Sequence, residues 1–258
     1  MTQTTPVLEA RGLTKHYGHV RALDGADFAA FPGEVVALIG DNGAGKSTLV
    51  KALVGAIRPD GGEILVDGTV TTLDSPTDAR EHGIEAVYQD LALAPDLDAA
   101  ANLHLGREIY LIPILRVLNR RAMRERAIAA FADLGVELPD VSAPVGTLSG
   151  GQRQSVAVAR AVAYASRIIF MDEPTAALGV VQRGRVLDTI RRVRDGGVSV
   201  VLVSHNMPEV LAVADRIEVL RMGRRVATYA APQTSVDELV GAMTGSLELS
   251  NGGPGSAR

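Results

Sequence analysis

Cysteine is absent from the 258 residues of this chain. That excludes disulfides and thiolate metal sites, and it is compatible with the cytosol. Long apolar runs are missing too. The longest candidate, Ile109 to Leu115, is seven residues and contains Pro113, against the ~20 needed to cross a bilayer. Met1-Thr2-Gln3-Thr4-Thr5-Pro6 has neither a basic start nor an apolar stretch, so no signal peptide is expected. Excess positive charge is the third absence. With a net charge of −4, the bulk field gives no reason to expect a nucleic-acid partner. What remains is the composition of a soluble globular chain, 47% hydrophobic and 22% charged, long enough for one large domain or two small ones.

One stretch organises the rest: Gly40-Asp41-Asn42-Gly43-Ala44-Gly45-Lys46-Ser47-Thr48. It follows Val35-Val36-Ala37-Leu38-Ile39, an apolar run that reads as a buried strand, and precedes Leu49 to Val54, a good start to a helix. The pattern G-x-x-x-x-G-K-S thus stands between a strand and a helix N-terminus, as a phosphate-binding loop must. Gly43 and Gly45 let the backbone curl with its N–H groups inward, and the helix dipole adds partial positive charge. Lys46 can then reach β- and γ-phosphates, and the Ser47 hydroxyl can ligate Mg²⁺. The competing reading, a chance match in a Gly-rich turn, does not account for both flanks. A nucleoside triphosphate is the expected ligand.

Val7 to Tyr17 and Val20 to Phe28, separated by Gly18-His19, read as an antiparallel hairpin. Tyr17 at its turn suits edge packing, or a flat ring that stacks on a base. Short strands are expected at Glu63 to Gly68, Ile84 to Tyr88, Arg167 to Met171, Val198 to Val203, Asp215 to Leu220 and Arg225 to Thr228. From about Leu97 to Ala165 the periodicity reads as helical, with an amphipathic helix over Arg120 to Phe131, and a closing helix spans Val236 to Met243. Arg116, Arg120, Arg121, Arg124 and Arg126 form a basic cluster whose plain reading is a solvated helix face. Residues 244–258 are rich in Gly, Ser and Pro and read as a flexible tail. Strands alternating with helices imply an α/β fold with a mostly parallel sheet covered on both faces.

Two further stretches carry chemistry. Asp172 and Glu173 follow an apolar strand. A carboxylate there is placed to hold Mg²⁺, and a second beside it can polarise a water for attack on a γ-phosphate. Alone, this would be an acidic turn before Pro174; together with the phosphate loop it points to hydrolysis. Leu148-Ser149-Gly150-Gly151-Gln152 opens a helix running through Arg160. A hydroxyl and bare N–H groups at a helix N-terminus make a second anion site. A simple N-cap would not need two glycines.

With these motifs in place, the sequence resembles the ATP-binding cassette family, the nucleotide-binding subunits of membrane transporters. The resemblance runs over residues 5–243, with a helical subdomain at about 91–165 inserted into a P-loop core that an antiparallel β subdomain precedes. Gly40 to Thr48 looks like the Walker A loop, Ile168 to Asp172 like the Walker B strand, and Leu148 to Gln152 like the signature LSGGQ. The resemblance assigns Tyr17 to adenine stacking, Gln89 to Mg²⁺ and the membrane subunits, Glu173 to catalysis and His205 to the γ-phosphate. Its cofactors are ATP and Mg²⁺, with Ser47, Gln89 and Asp172 as metal ligands. In one respect the chain departs from the pattern. Thr175-Ala176-Ala177-Leu178-Gly179-Val180 puts Gly179 at or near the position of an Asp that touches the opposite subunit.

The same run, with Asn102 to Glu108 and Arg120-Arg121-Ala122-Met123, is similar to ATP subunits of bacterial monosaccharide importers. The resemblance implies a pair of ATP-binding subunits, each phosphate loop facing the other's Ser149-Gly150-Gly151. It also implies transmembrane permease subunits, indirectly an extracytoplasmic solute-binding protein, and a place on the cytoplasmic face of the membrane. The rival readings are an exporter or non-sugar importer ATPase, a cassette ATPase without membrane partners, and an ATP-binding regulatory module. The non-transport ATPases usually carry tandem cassettes or coiled-coil insertions, and neither is visible here. Glu173 and His205 speak against the regulatory module.

Overall fold

Residues 5–87, 90–176 and 178–246 are described by a computed structural model. Strands β1 (Leu8–Tyr17) and β2 (Val20–Ala30) pair antiparallel across a turn where Gly18 has a φ of 58°. Strand β3 (Val35–Ile39) is buried at every position, the consequence of a run without a polar residue. It leads through the phosphate loop to helix α1 (Lys46–Leu53). Strands β4 (Gly61–Val66) and β5 (Thr69–Val70) add to the hairpin in the order β2-β1-β4-β5. Helix α2 (Pro76–Glu81) begins where the Ser75 hydroxyl accepts from Asp78 N and Pro76 presets φ. Strand β6 (Ile84–Val87) follows.

Next come helix α3 (Ala99–Leu103), strands β7 (Tyr110–Ile112) and β8 (Val117–Leu118), and helices α4 (Arg120–Asp133) and α5 (Gly150–Val162). The β7–β8 hairpin interrupts the stretch from about Leu97 to Ala165 whose periodicity reads as helical. Pro113 cannot continue a helix, and the residues on either side of it pair instead, Tyr110 with Leu118 and the β-branched Ile112 with Val117. Strand β9 (Ile168–Asp172), helix α6 (Val180–Asp195), strand β10 (Ser199–Val203), helix α7 (Met207–Val213), strands β11 (Arg216–Arg221) and β12 (Arg224–Ala230), and helix α8 (Val236–Thr244) complete the chain. Of the tail expected from 244 to 258, residues 247–258 lie outside the described residues.

The large sheet has the order β12-β11-β3-β10-β9-β6, parallel except for β12. Alternate residues of its strands serve two cores. Val35, Ala37 and Ile39 face the α5–α8 side, while Val36 and Leu38 face α1 and the antiparallel sheet. A strand alternates its side chains by construction, so a wholly apolar strand can sit only between two such layers.

Candidate active site

Three neighbouring strands end at one level. Val203 at the end of β10 is in register with Leu38 of β3 on one side and Asp172 of β9 on the other. Their continuations are the phosphate loop, Asp172-Glu173 and Ser204-His205. Strands in a sheet lie about 4.8 Å apart, so the three segments share one patch of the sheet's carboxyl edge, where open α/β sheets hold their ligands.

Local backbone chemistry shapes the loop. Gly40 has a φ of 154°, and a Cβ there would stand 2.1 Å from the Leu220 carbonyl oxygen. Gly45 has a φ of 103°, and a Cβ would stand 2.5 Å from the Ala22 carbonyl oxygen. Both positions therefore require glycine for closeness as well as for conformation. The Ala44 carbonyl accepts from Gly223 N at 2.9 Å, and the Gly223 carbonyl accepts from Asp24 N at 2.9 Å. The loop is thus tied to the β11–β12 turn and to β2. Neither Gly223 nor Asp24 belongs to a motif; Gly223, between two strand runs, is the one turn signal that points to this contact.

Within the loop, Asp41, Asn42, Gly43 and Ser47 are exposed, Gly45, Lys46 and Thr48 are half-buried, and Ala44 is buried. Lys46 Nζ donates to the carbonyls of Gly40 at 2.6 Å and Asp41 at 3.0 Å. Burial pushes the Lys46 pKa down, and Glu173, Asp172 and Asp41 pull it back up. Asp172 is half-buried; burial pushes its carboxyl up, Glu173 pushes the same way, and Lys46 and Lys51 oppose. Charge of opposite sign is therefore collected at this edge.

Glu173 follows β9 in the left-handed region, with a φ of 49°. Its amide donates to the Val203 carbonyl at 2.9 Å, which turns the chain sharply and binds it to β10. Its Oε1 lies 2.7 Å from His205 Nδ1. The structure thus brings Glu173 and His205 together, and β10, which leads to His205, lies between β9 and the strand that delivers Lys46. Gln89 lies outside the described residues.

Ser149 caps α5: its Oγ accepts from Gln152 N at 3.3 Å, and Gln152 Oε1 accepts from Ser149 N at 2.9 Å. This reciprocal cap is dictated by the spacing of Ser149 and Gln152. Gly151 has a packing reason, since a Cβ would stand 2.8 Å from Gln182 Cγ on α6, whereas Gly150 faces open space. Ser149, Gly151 and Gln152 line a cavity of about 120 Å³ with Gln182, Arg185 and Thr189. Among the described residues, no hydrogen bond or ion pair joins this turn to the phosphate loop of the same chain.

Tyr17 ends β1 opposite Val20 and is half exposed, with Lys15 Nζ 5.9 Å from its ring centroid. Two residues past Val20, Ala22 lies against Gly45, so the ring stands on the strand end that flanks the loop. Gly179 is the N-cap of α6 with no side chain to cap it. Among the described residues no group of three or more His, Cys, Asp or Glu could hold a metal by itself.

The pattern of the ABC transporter family matches residues 23–176. The chain is 51% identical over 248 residues to the fructose import ATP-binding protein FrcA of Rhizobium meliloti, covering 94% of this chain and 95% of that one. It is 44% identical over 238 residues to the xylose/arabinose import ATP-binding protein XylG of Sulfolobus acidocaldarius, covering 92% and 94%. The ribose import ATP-binding protein RbsA 1 of Rubrobacter xylanophilus is 45% identical over 240 residues; the match covers 93% of this chain but 47% of that relative. Among solved structures, the dimeric post-hydrolysis state of the ATP-binding cassette MJ0796 bound to ADP and Pi superposes with a TM-score of 0.75 at 26% identity. That match covers 88% of this chain and all of the other.

Proposed function

This chain belongs to the ABC transporter family, and from that premise we propose that it is the ATP-hydrolysing subunit of an importer carrying a monosaccharide across a membrane. The observation that carries the hydrolytic part is the shared level of β3, β9 and β10, which gathers Lys46, Asp172, Glu173 and His205 at one sheet edge. The names of the relatives, importers of fructose, xylose or arabinose, and ribose, support a sugar as the passenger.

In this reading the backbone N–H groups of residues 40–48 and the start of α1 cradle the phosphates of ATP. Tyr17 stacks on the adenine. Lys46 leaves its two carbonyl partners and neutralises charge on the transferring phosphoryl group. Glu173 orients a water and takes its proton as oxygen attacks the γ-phosphorus and the bond to ADP breaks. His205 contacts the γ-phosphate. Ser47, Asp172 and Gln89 would hold Mg²⁺, which would supply positive charge to offset that of the phosphates. Hydroxyl, amide and carboxylate oxygens suit a hard cation, and the raised pKa of Asp172 marks a half-buried carboxylate that a cation would relieve.

Two copies would pair, with Ser149-Gly150-Gly151 of each closing the other's phosphate site; the dimeric neighbours support this. No helix among the described residues is long and apolar enough to cross a membrane. We place the chain, as one cassette over 5–243 with a helical subdomain at about 91–165, on the cytoplasmic face of permease subunits that a solute-binding protein feeds. The test is reconstitution with candidate permease and solute-binding subunits. ATP-dependent uptake of labelled fructose, xylose or ribose, lost in Lys46→Ala, is expected. ATP hydrolysis without uptake of any sugar would overturn the choice of passenger.

A further inference from the structure

The turn after Glu173 is held from α7 and α6. Glu209, on α7, is buried. Its Oε2 accepts from Thr175 Oγ1 at 2.5 Å, and its Oε1 accepts from Asn206 Nδ2 at 2.8 Å. Arg183 Nη1 on α6 lies 3.6 Å from Oε1, and Arg183 Nε donates to the Leu178 carbonyl at 2.8 Å. Thr175 is two residues past Glu173, and Asn206 is one past His205. One carboxylate therefore grips both loops whose side chains meet at Glu173 Oε1 and His205 Nδ1.

Helix capping does not explain this carboxylate. Asn206 Oδ1 caps α7 through the Glu209 amide, which any residue would supply. Burying a carboxylate is costly unless its oxygens are well partnered. Here the close partners are donors on the two loops, Thr175 Oγ1 to one oxygen and Asn206 Nδ2 to the other, so the side chain acts as a two-ended clasp. We propose that Glu209 is a positioning residue that fixes Glu173 against His205 for hydrolysis; this rests on the ATPase reading above.

The test compares the full-length wild type with Thr175→Val, Thr175→Ser and Glu209→Gln, measuring kcat for ATP hydrolysis, ADP affinity and Tm. Losing one short buried hydrogen bond should lower kcat about tenfold in Thr175→Val, with ADP affinity within about twofold of wild type. Thr175→Ser keeps the hydroxyl and should restore turnover. Glu209→Gln should lose as much, and the double variant Thr175→Val/Glu209→Gln no more than either alone, because both break one clasp. If Glu209→Gln fails to fold, the Val and Ser variants at 175 decide. Turnover in Thr175→Val within about twofold of wild type, or ADP affinity and Tm falling in step with kcat, would overturn the proposal alone. Wild-type turnover that Lys46→Ala leaves intact would overturn the ATPase reading, and this proposal with it.

Discussion

Glu173 Oε1 and His205 Nδ1 stand 2.7 Å apart, although 32 residues separate them in the chain. The glutamate side chain is 18% exposed and the imidazole 73%, so the histidine can swing toward a phosphate without opening the core, while the carboxylate stays put. His205→Ala should therefore lower kcat by about 100-fold, the scale of one lost transition-state contact, with ATP affinity little changed. Steady-state hydrolysis and fluorescent-nucleotide binding check this; an equal loss of affinity would assign His205 to ground-state binding.

Lys46 is the cation inside the phosphate loop, held on the Gly40 and Asp41 carbonyls. Lys46→Ala should weaken Mg-ATP binding and reduce hydrolysis by at least about 100-fold. Unchanged turnover in the purified variant would mean that the loop does not carry the reaction.

Glu173→Gln should trap an ATP-bound pair of chains. In the proposed function the phosphate loop and the Ser149 turn are two half-sites, and ATP bridging two copies would favour the dimer by mass action. Glutamine keeps the shape but cannot take the water's proton. Light scattering should give near-monomer mass for wild type with Mg-ADP and about twice that for Glu173→Gln with ATP. Adding Ser149→Arg should return the monomer. A monomeric Glu173→Gln at saturating ATP would mean that Gly179 has weakened the pairing or that permease subunits must hold it.

The glycines of the loop should differ in cost. Gly40→Ala and Gly45→Ala place a Cβ 2.1 and 2.5 Å from backbone oxygens at positive φ, and each should destabilise by about 3 kcal/mol or more. Gly43→Ala meets open space at a φ of 83° and should cost only about 1–2 kcal/mol of backbone strain. Denaturant unfolding of the three variants measures the order; equal losses would contradict the packing account.

Asp172 makes a prediction of opposite sign for stability and activity. Its carboxyl is pushed above 3.8, chiefly by burial and then by Glu173. Between the unfolded and folded pKa values the folded chain binds more protons, so stability falls as pH rises through that window and the penalty is complete above it. Asp172→Asn removes the penalty and should raise the Tm of the ligand-free protein by a few degrees at neutral pH, while hydrolysis falls by about 100-fold. A lower Tm across the pH range would mean that the carboxylate stabilises the fold.

The sequence by itself determined whatever depends on near neighbours. Val35–Ile39 could only be a strand buried on both faces, Gly40 to Lys46 could only curl ahead of a helix, and Ser149 and Gln152, three apart, could only cap one. The β7–β8 hairpin went unread because the apolar run around Pro113 is short enough to pass for a piece of a helical stretch. Tertiary structure alone decided that β10 lies between β3 and β9. Parallel pairing joins strands far apart in sequence, and no local pattern encodes which strand becomes the neighbour. That choice puts His205 against Glu173 and brings Thr175 and Asn206 within reach of Glu209, while β11 on the other side of β3 lets Gly223 and Asp24 tie down the phosphate loop.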